Sequence, residues 1–570
     1  DMTLTSTQIK AAGDATLTAG GELSLKAQEF NTKVVRGDGT SRTETKYETS
    51  NIEAGGTVVL SAKKDLTLEG SKVDAGNNLL VESKQGNVNL VALKETSDYS
   101  YNGEGALAQI QAREKVAQQA AQADAQAPSF AAEIINHTQV HEESLQNVRL
   151  SAKGNATVQA NQGDIKATAL DVSAGQDITL KAGGVVQLDA LQTNNSQVQD
   201  KQVLVGVSTD AETNSLSAIY QNQTTSQSST QANGGTLKAG NDVLINGGQV
   251  ALSHTKAVAA RDIKIEATDG GAALKAVDMQ AERNFELSSV GNAAIVSDAT
   301  EAANGSISQA TSTIKAGNQA NVTALNNLIV QGGDVQAKDI NLLALGNVTL
   351  TGVQNKQVYG DGNDTTTVTT TQSLNLKGDN INIQGVGASS DVTLVAANVD
   401  AVNKAKIAGT GNVTIASGED RTTRQWQTVS EDCSWYGSCD TTVTRGLEDK
   451  TSQVGSVIKG GNAVDVSAGK NLTTYASTIE GGDVTLSADG KISYLAAQNI
   501  NRNEVHSETS SSWFGIDTSW GGFFGGKSES TDITVQTKAA VTKLQSEADI
   551  LSESGGDTLL QGTQVKAQTF

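Results

Sequence analysis

Thr236-Leu-Lys-Ala-Gly-Asn-Asp-Val-Leu-Ile-Asn246 holds two short strands and the turn between them, and its parts recur along the chain. An apolar marker returns at a spacing of 21 residues in Leu237, Val258 and Met279. The same spacing separates Ile9 from Phe30, Ile52 from Val73, Ile314 from Val335, Ile458 from Ile479 and Leu544 from Val565. The neighbouring text is shared as well, in Ser71-Lys-Val-Asp-Ala-Gly76, Thr313-Ile-Lys-Ala-Gly317 and Ser456-Val-Ile-Lys-Gly460. One small β unit, stacked many times, accounts for this register.

The second strand of the unit alternates. In Asp177-Ile-Thr-Leu-Lys-Ala182, Ile178, Leu180 and Ala182 fall on one face and Thr179 and Lys181 on the other, the period of a half-buried strand. Gly240-Asn-Asp242, Gly175-Gln-Asp177 and Gly481-Gly-Asp483 precede such strands, and these residue types tolerate the left-handed backbone of a tight corner. Each repeat therefore reads as strand, corner, strand, corner.

A chain of 570 residues would ordinarily suggest several globular domains, but a short repeat points to one continuous solenoid over 1–570. A column one coil wide is filled by 37% hydrophobic residues with only 3% aromatics. Pro128 is the single proline, which suits strands that must all donate to neighbouring ladders. The net charge of −21, without a basic run, leaves no nucleic-acid footprint. No stretch reaches the ~20 apolar residues of a membrane-spanning helix, and no signal peptide opens the chain. The chain begins and ends inside repeat text and reads as a fragment of a longer protein.

Six segments interrupt the register, at about 31–51, 95–149, 192–233, 354–373, 418–455 and 497–533. What remains makes about 17 turns, on the order of 80 Å at roughly 4.8 Å per strand. Most interruptions read as Ser/Thr-rich β-hairpins, such as Lys356 to Thr371 around Gly360-Asp-Gly-Asn-Asp364. The segment 95–149 differs, since Ala, Gln and Glu from Glu104 to Gln126, and again from Ala131 to Glu143, favour a short helical insertion of two helices.

Chemistry-bearing residues concentrate in the last two interruptions. All four tryptophans lie there, Trp426, Trp435, Trp513 and Trp520, with Tyr436, Phe514, Phe523 and Phe524, and this set is the candidate contact with a membrane or partner. A hairpin folded back over a coil is the alternative. Cys433 and Cys439 enclose five residues between strand-like flanks, a spacing that suits a disulfide across a hairpin tip; two unlinked thiols are the alternative.

Other constellations are weaker. His137 and His141 supply two ligands where zinc needs three or four, and read as a solvated face. Asp361, Asn363 and Asp364 offer oxygens without a calcium-binding pattern. Arg36-Gly37-Asp38 is ordinary turn text that also matches a receptor-binding triplet. Gly521 to Ser528 has the letters of a phosphate-binding loop, but strand follows it where a helix is needed. No catalytic, cofactor or metal site is read from the sequence.

The strands Ala174-Gly-Gln-Asp-Ile-Thr-Leu-Lys-Ala182, Ala239-Gly-Asn-Asp-Val-Leu-Ile-Asn246 and Ala54-Gly-Gly-Thr-Val-Val-Leu-Ser-Ala62 resemble the haemagglutinin repeats of filamentous-haemagglutinin-like exoproteins. The resemblance covers essentially the whole chain. It implies a right-handed parallel β-helix, exported by two-partner secretion through an outer-membrane transporter and displayed at the surface of a Gram-negative bacterium. The Ser-rich text around Ser510-Ser-Ser-Trp-Phe-Gly515 looks like the later repeat block of contact-dependent growth-inhibition effectors. That likeness implies contact with a target cell's outer membrane or a surface receptor, and passage of a toxin. An adhesin stalk is the second reading and a polysaccharide-degrading β-helix the third.

Overall fold

A computed structural model describes residues 1–36, 40–102, 133–210, 215–302, 304–434, 438–513, 516–517 and 527–570. Contacts divide the chain into two compact units, Asp1–Lys238 and Ala239–Phe570, and each is a right-handed parallel β-helix. Among the described residues there is no helix, and so none long and apolar enough to cross a membrane.

One coil of the first unit shows the plan. The strand Asn51–Ala54 turns through Gly55 and Gly56 into Val58–Ala62, a third strand Leu66–Glu69 completes the turn, and Lys72–Ala75 opens the next coil. The sequence shows two strands per repeat; the third is separated from the second by only Lys63, Lys64 and Asp65, so its text merges with its neighbour's.

Parallel pairing stacks equivalent side chains. In the third strands of the first unit Leu23, Leu66, Val88, Ile165 and Val186 are successive partners, all buried. In the second strands of the second unit Ile265, Leu287, Val322, Leu342, Ile383, Ile407 and Val466 do the same. Each such side chain contributes about 1.5–3 kcal/mol by leaving water. Bulk is compensated between coils: Phe285 stacks between Ile263 and the small Ala320.

The 21-residue markers pair as expected for Ile52 with Val73, Ile314 with Val335, Ile458 with Ile479 and Leu544 with Val565. Two depart. Ile9 pairs with Ile52, because the chain leaves the coil at Gln28 and Phe30 pairs with Lys46 outside it. Met279 stacks on buried Ala257, and half-buried Val258 pairs with Gln280, since that coil is one residue longer.

The corner glycines have a different cause from the one read in the sequence. Gly55, Gly76 and Gly175 do not have positive φ; a Cβ there would overlap the carbonyl oxygen of Ala12, Gly55 and Lys153 respectively. Close approach of the coil below excludes a side chain. Asn and Asp at the turn before the third strand bind the coils through side-chain oxygens. Asn292 accepts the N–H of Asn327 at 3.1 Å, Asn327 that of Asn347 at 2.9 Å, Asn347 that of Asp391 at 2.9 Å and Asp391 that of Asn412 at 2.6 Å.

Left-handed backbone occurs instead at the corner after the third strand. Ser6, Gly70 and Ala169 occupy it in the first unit, and His254, Ala276, Gly332, Ala396, Ala476 and Gly562 in the second. These coils pass straight into the next. In the others the same corner opens into a hairpin, after Leu23–Lys26, Val88–Val91 and Val185–Asp189, and after Ala293–Val296, Val348–Thr351, Val413–Ala416 and Ile492–Leu495. Within each unit two coils separate successive hairpins.

This spacing makes the hairpins into a sheet. A hairpin is two strands wide and two coils rise by two strands, about 10 Å in either case. Successive hairpins therefore meet edge to edge. In the first unit the antiparallel order is Gln28–Val35, Ser41–Glu48, Leu93–Asn102, Glu133–Gln146, Leu191–Asp210 and Ser215–Asn233. The helix expected over 131–143 is replaced here by the strand Glu133–Gln146. Ile134, Ile135, Thr138 and Val140 favour strand, and partners on both sides outweigh the local helix preference. The helix expected over 104–126 lies outside the described residues.

Buried hydroxyls tie the hairpin roots. Ser50, Ser312, Ser456 and Thr542 stand where the chain re-enters the coil, nearly inaccessible to water. Each donates to a carbonyl just before its hairpin departs: Lys26 at 3.0 Å, Val296 at 2.9 Å, Ala416 at 2.6 Å and Leu495 at 2.7 Å. The three serines also accept an N–H from an adjacent coil, that of Thr7, Val277 or Ala397.

Candidate contact surface

The hairpin sheet of the second unit grows in chain order. Its strands have 4 residues in Asp298–Glu301 and Ile307–Ala310, then 8 and 9 in Val353–Gly360 and Asp364–Gln372. They reach 16 and 17 in Gly418–Cys433 and Ser438–Val454, and 17 and 14 in Ala497–Trp513 and Lys527–Ala540. The ladder with Asp364–Gln372 ends at Asp364 opposite Trp426. Past it Gln427 still donates its N–H to Asn363 O at 2.7 Å, and beyond that the last four strands project with no further strand paired on that side among the described residues.

Register brings the two aromatic segments together. Cys439 lies opposite Ser512 and Ser438 opposite Trp513, so the hairpin carrying Cys433 and Cys439 ends beside the one carrying Trp513. Cys433 and Cys439 are directly opposed and joined by a disulfide, with their Cα atoms 4.0 Å apart. Glu431 lies close to both sulfurs, but bonded sulfurs do not ligate a metal. Trp435, Tyr436, Phe514, Trp520, Phe523 and Phe524 lie outside the described residues, and Trp513 is placed by its backbone alone. Trp426 is half-buried lower on the sheet, its indole lying over Gly446.

A family model for the haemagglutinin repeat matches residues 5–112, 134–268, 290–366, 358–446 and 441–570. The chain belongs to the haemagglutinin-repeat family. No curated protein matches it, and no solved structure does. Haemagglutinin-repeat chains are structural, adhesin-type β-helices rather than enzymes, and are typically secreted and associated with the cell surface. The matches run through the hairpins as well as the coils, so both belong to the family's text.

The remaining candidates of this haemagglutinin-repeat chain are built into turns and ion pairs. Asp361 Oδ1 accepts the N–H of Asn363 at 2.8 Å and of Asp364 at 3.2 Å, which shapes the hairpin turn. Asp364 takes a two-pronged contact from Arg424, at 3.0 and 2.7 Å, and the guanidinium holds its carboxyl below the usual range. Of the loop resembling a phosphate binder, 521–526 lie outside the described residues. Lys527 is in strand, its ammonium held above its ordinary range by Glu508 at 2.7 Å and Glu529 at 2.9 Å. Arg36 donates its N–H to Thr40 O at 2.8 Å; Gly37 and Asp38 lie outside the described residues.

In the first unit an open groove of about 590 Å³ follows the line where the hairpin ladder splits, past His141 opposite Ser196. Side chains bridge the gap: Glu143 donates its N–H to Asn195 at 2.9 Å and accepts that of Asn194 at 2.6 Å. His141 lies 2.6 Å from Asp98 and 3.5 Å from Glu143, while Lys94 reaches Glu143 at 3.0 Å. His137 sits 3.5 Å from Asp200. Both histidines lie on a strand among carboxylates rather than on a solvated helix face. Serines line the groove, Ser196 among them, but the His141 ring is engaged by the carboxylates of Asp98 and Glu143, and the arrangement is that of a charged seam.

Proposed function

We propose that this chain is the repeat region of an exported effector of contact-dependent growth inhibition. In this reading it leaves the cell through an outer-membrane two-partner-secretion transporter, and the tall hairpins of its second unit contact a target cell's outer membrane during toxin delivery. The observation that carries the reading is the register of Cys439 on Ser512 and Ser438 on Trp513, which places the two aromatic-bearing hairpin ends side by side. A disulfide at that end suits a protein exposed outside the reducing cytoplasm. Aromatic residues suit a membrane interface, where a ring meets lipid and water together.

The test replaces Trp513, Trp520, Phe523 and Phe524 by Ser. The coils should stay folded by circular dichroism, and association with outer-membrane vesicles from target bacteria should be lost; undiminished association removes the reading. An adhesin stalk is the second reading, supported by hairpins that form a polar sheet in the first unit too. Binding to animal cells, with none to bacteria, would favour it.

A further inference from the structure

The four projecting strands of the second unit have two unlike faces. On one face a row runs Thr428, Thr444, Ser507, Ser530, and the next row runs Ser430, Thr442, Thr509, Ser528. Every residue in both rows carries a hydroxyl and none is charged. Neighbours within the rows are in register, with Thr442 and Thr509 hydroxyls at 3.0 Å and those of Thr444 and Ser507 at 3.5 Å. None of the eight is buried. The other face carries Arg445, His506, Glu508, Glu529, Glu431 and Lys527 at the intervening positions.

An aromatic floor adjoins the hydroxyl rows. Trp426, Gly446, Val505 and Asp532 form the row below them on the same face. A Cβ on Gly446 would run into Cε2, Nε1 and Cζ2 of the Trp426 indole, so the ring lies flat across a strand that has no side chain there. Gly446 is buried beneath it while Trp426 keeps a half-exposed surface. A glycine inside a long strand ordinarily weakens it, unless something must approach closely.

We infer that this face binds a neutral oligosaccharide chain, with Trp426 as stacking platform and the Thr and Ser rows as hydrogen-bonding field. A sugar presents an apolar C–H face to an aromatic ring and a rim of hydroxyls that both donate and accept, as the Ser and Thr hydroxyls do. Charge selects the partner: two uncharged rows match an uncharged polyol, whereas an anionic glycan would meet Asp532 at the end of the platform's row and Asp432 and Asp440 beyond the hydroxyls, and the cation of this face nearest the platform, Arg424, is already paired with Asp364 and Glu448. The inference names the partner class of the contact sheet and rests on the reading of that sheet as the surface that meets another cell.

The test uses the whole chain with neutral hexose and N-acetylhexosamine oligomers, and with uronic-acid and sulfated oligomers as charged controls. Titration calorimetry should detect the neutral oligomers alone. Trp426→Leu should weaken binding about three- to tenfold, and Trp426→Tyr should recover most of it. Thr444→Val and Ser507→Ala should each weaken binding severalfold, whereas Arg445→Gln on the opposite face should leave it unchanged. Circular dichroism confirms that each variant remains folded. The inference is overturned if no neutral oligomer binds, if charged oligomers bind equally, or if Trp426→Leu has no effect. It is also overturned if sedimentation shows a second copy occupying the face, with Thr444→Val dispersing the dimer. Vesicle association persisting without oligomer binding removes this inference alone; oligomer binding persisting without vesicle association removes the membrane-contact reading alone.

Discussion

Ser456 offers the sharpest test of how the hairpins are held. Its hydroxyl is inaccessible to water, donates to Ala416 O at 2.6 Å where the hairpin leaves, and accepts the N–H of Ala397 at 3.1 Å from the coil below. Ser456→Ala removes both partners in one step. A buried donor left unpaired costs about 1–3 kcal/mol, and the Ala416 carbonyl loses a neutral hydrogen bond worth about 1 kcal/mol, so the variant should lose about 2–4 kcal/mol. Ser456→Thr keeps the hydroxyl, as Thr542 does at the equivalent place, and should lose well under half of that. In a stacked repeat the damage stays with the nearest neighbours, so one global unfolding midpoint is the wrong readout. Amide exchange resolves it: Ala397 and the start of Val457–Ala468 should exchange faster in Ser456→Ala, with coils of the first unit unchanged. Equal protection in variant and parent, or acceleration spread evenly along the chain, would refute the clamp.

Three further outcomes follow from the geometry. The Asp98 carboxylate beside His141 raises that imidazole above its ordinary 6.5; burial pushes Glu143 up, but the N–H of Asn194, the Lys94 ammonium and His141 outweigh it and hold the carboxyl below 4.5. The histidine contribution is complete below about pH 6.5 and is lost as pH rises through its folded value. The glutamate contribution is present above about pH 4.5 and is lost as pH falls, so the seam should be tightest between these limits, and His141→Gln should abolish only the alkaline loss in amide-exchange protection. Reducing the disulfide, which closes a loop of sequence separation 6, should release the hairpin end by about 2 kcal/mol, seen as faster exchange near Asp432 and Asp440 with unchanged circular dichroism from the coils. Ala276, left-handed with φ 49°, should gain about 0.5–1 kcal/mol as Ala276→Gly in urea unfolding, while Ala273→Gly, within a strand, should lose stability.

Burial alternation was readable because it is local. Ile178, Leu180 and Ala182 are buried while Thr179 and Lys181 face out, as their order requires. Stacking was nearly readable, and failed at Phe30 and Val258, where a hairpin departs or a coil gains a residue. Pairing between hairpins was not readable: His141 meets Ser196 because of the coil rise beneath them, and nothing in either segment's text records the other. The same blindness made 131–143 look helical. One signal went unused. The hairpin Asp298–Ala310 is too short to stand out, but the regular interval of two coils between interruptions calls for one there. Gly446 was a second signal, since a glycine within a strand asks what lies against it.

The interval of two coils also bears on how such a chain changes its contacts without changing its fold. Both faces of the projecting strands are open to water, and a sheet with so little apolar surface to bury could not hold itself together alone. Its register is imposed from below, by a coil stack whose rise matches the width of a hairpin and by hydroxyls such as Ser312 and Ser456 that fix where each hairpin leaves and returns. Stability and recognition are therefore carried by different residues. The interior files, from Leu23 to Val186 in the first unit and Ile265 to Val466 in the second, tolerate little change in volume. Thr428, Thr444 or Ser507 can change without disturbing any buried contact. Hairpins can lengthen from 4 residues to 17 within one unit for the same reason, since each added pair of residues extends a ladder already in register.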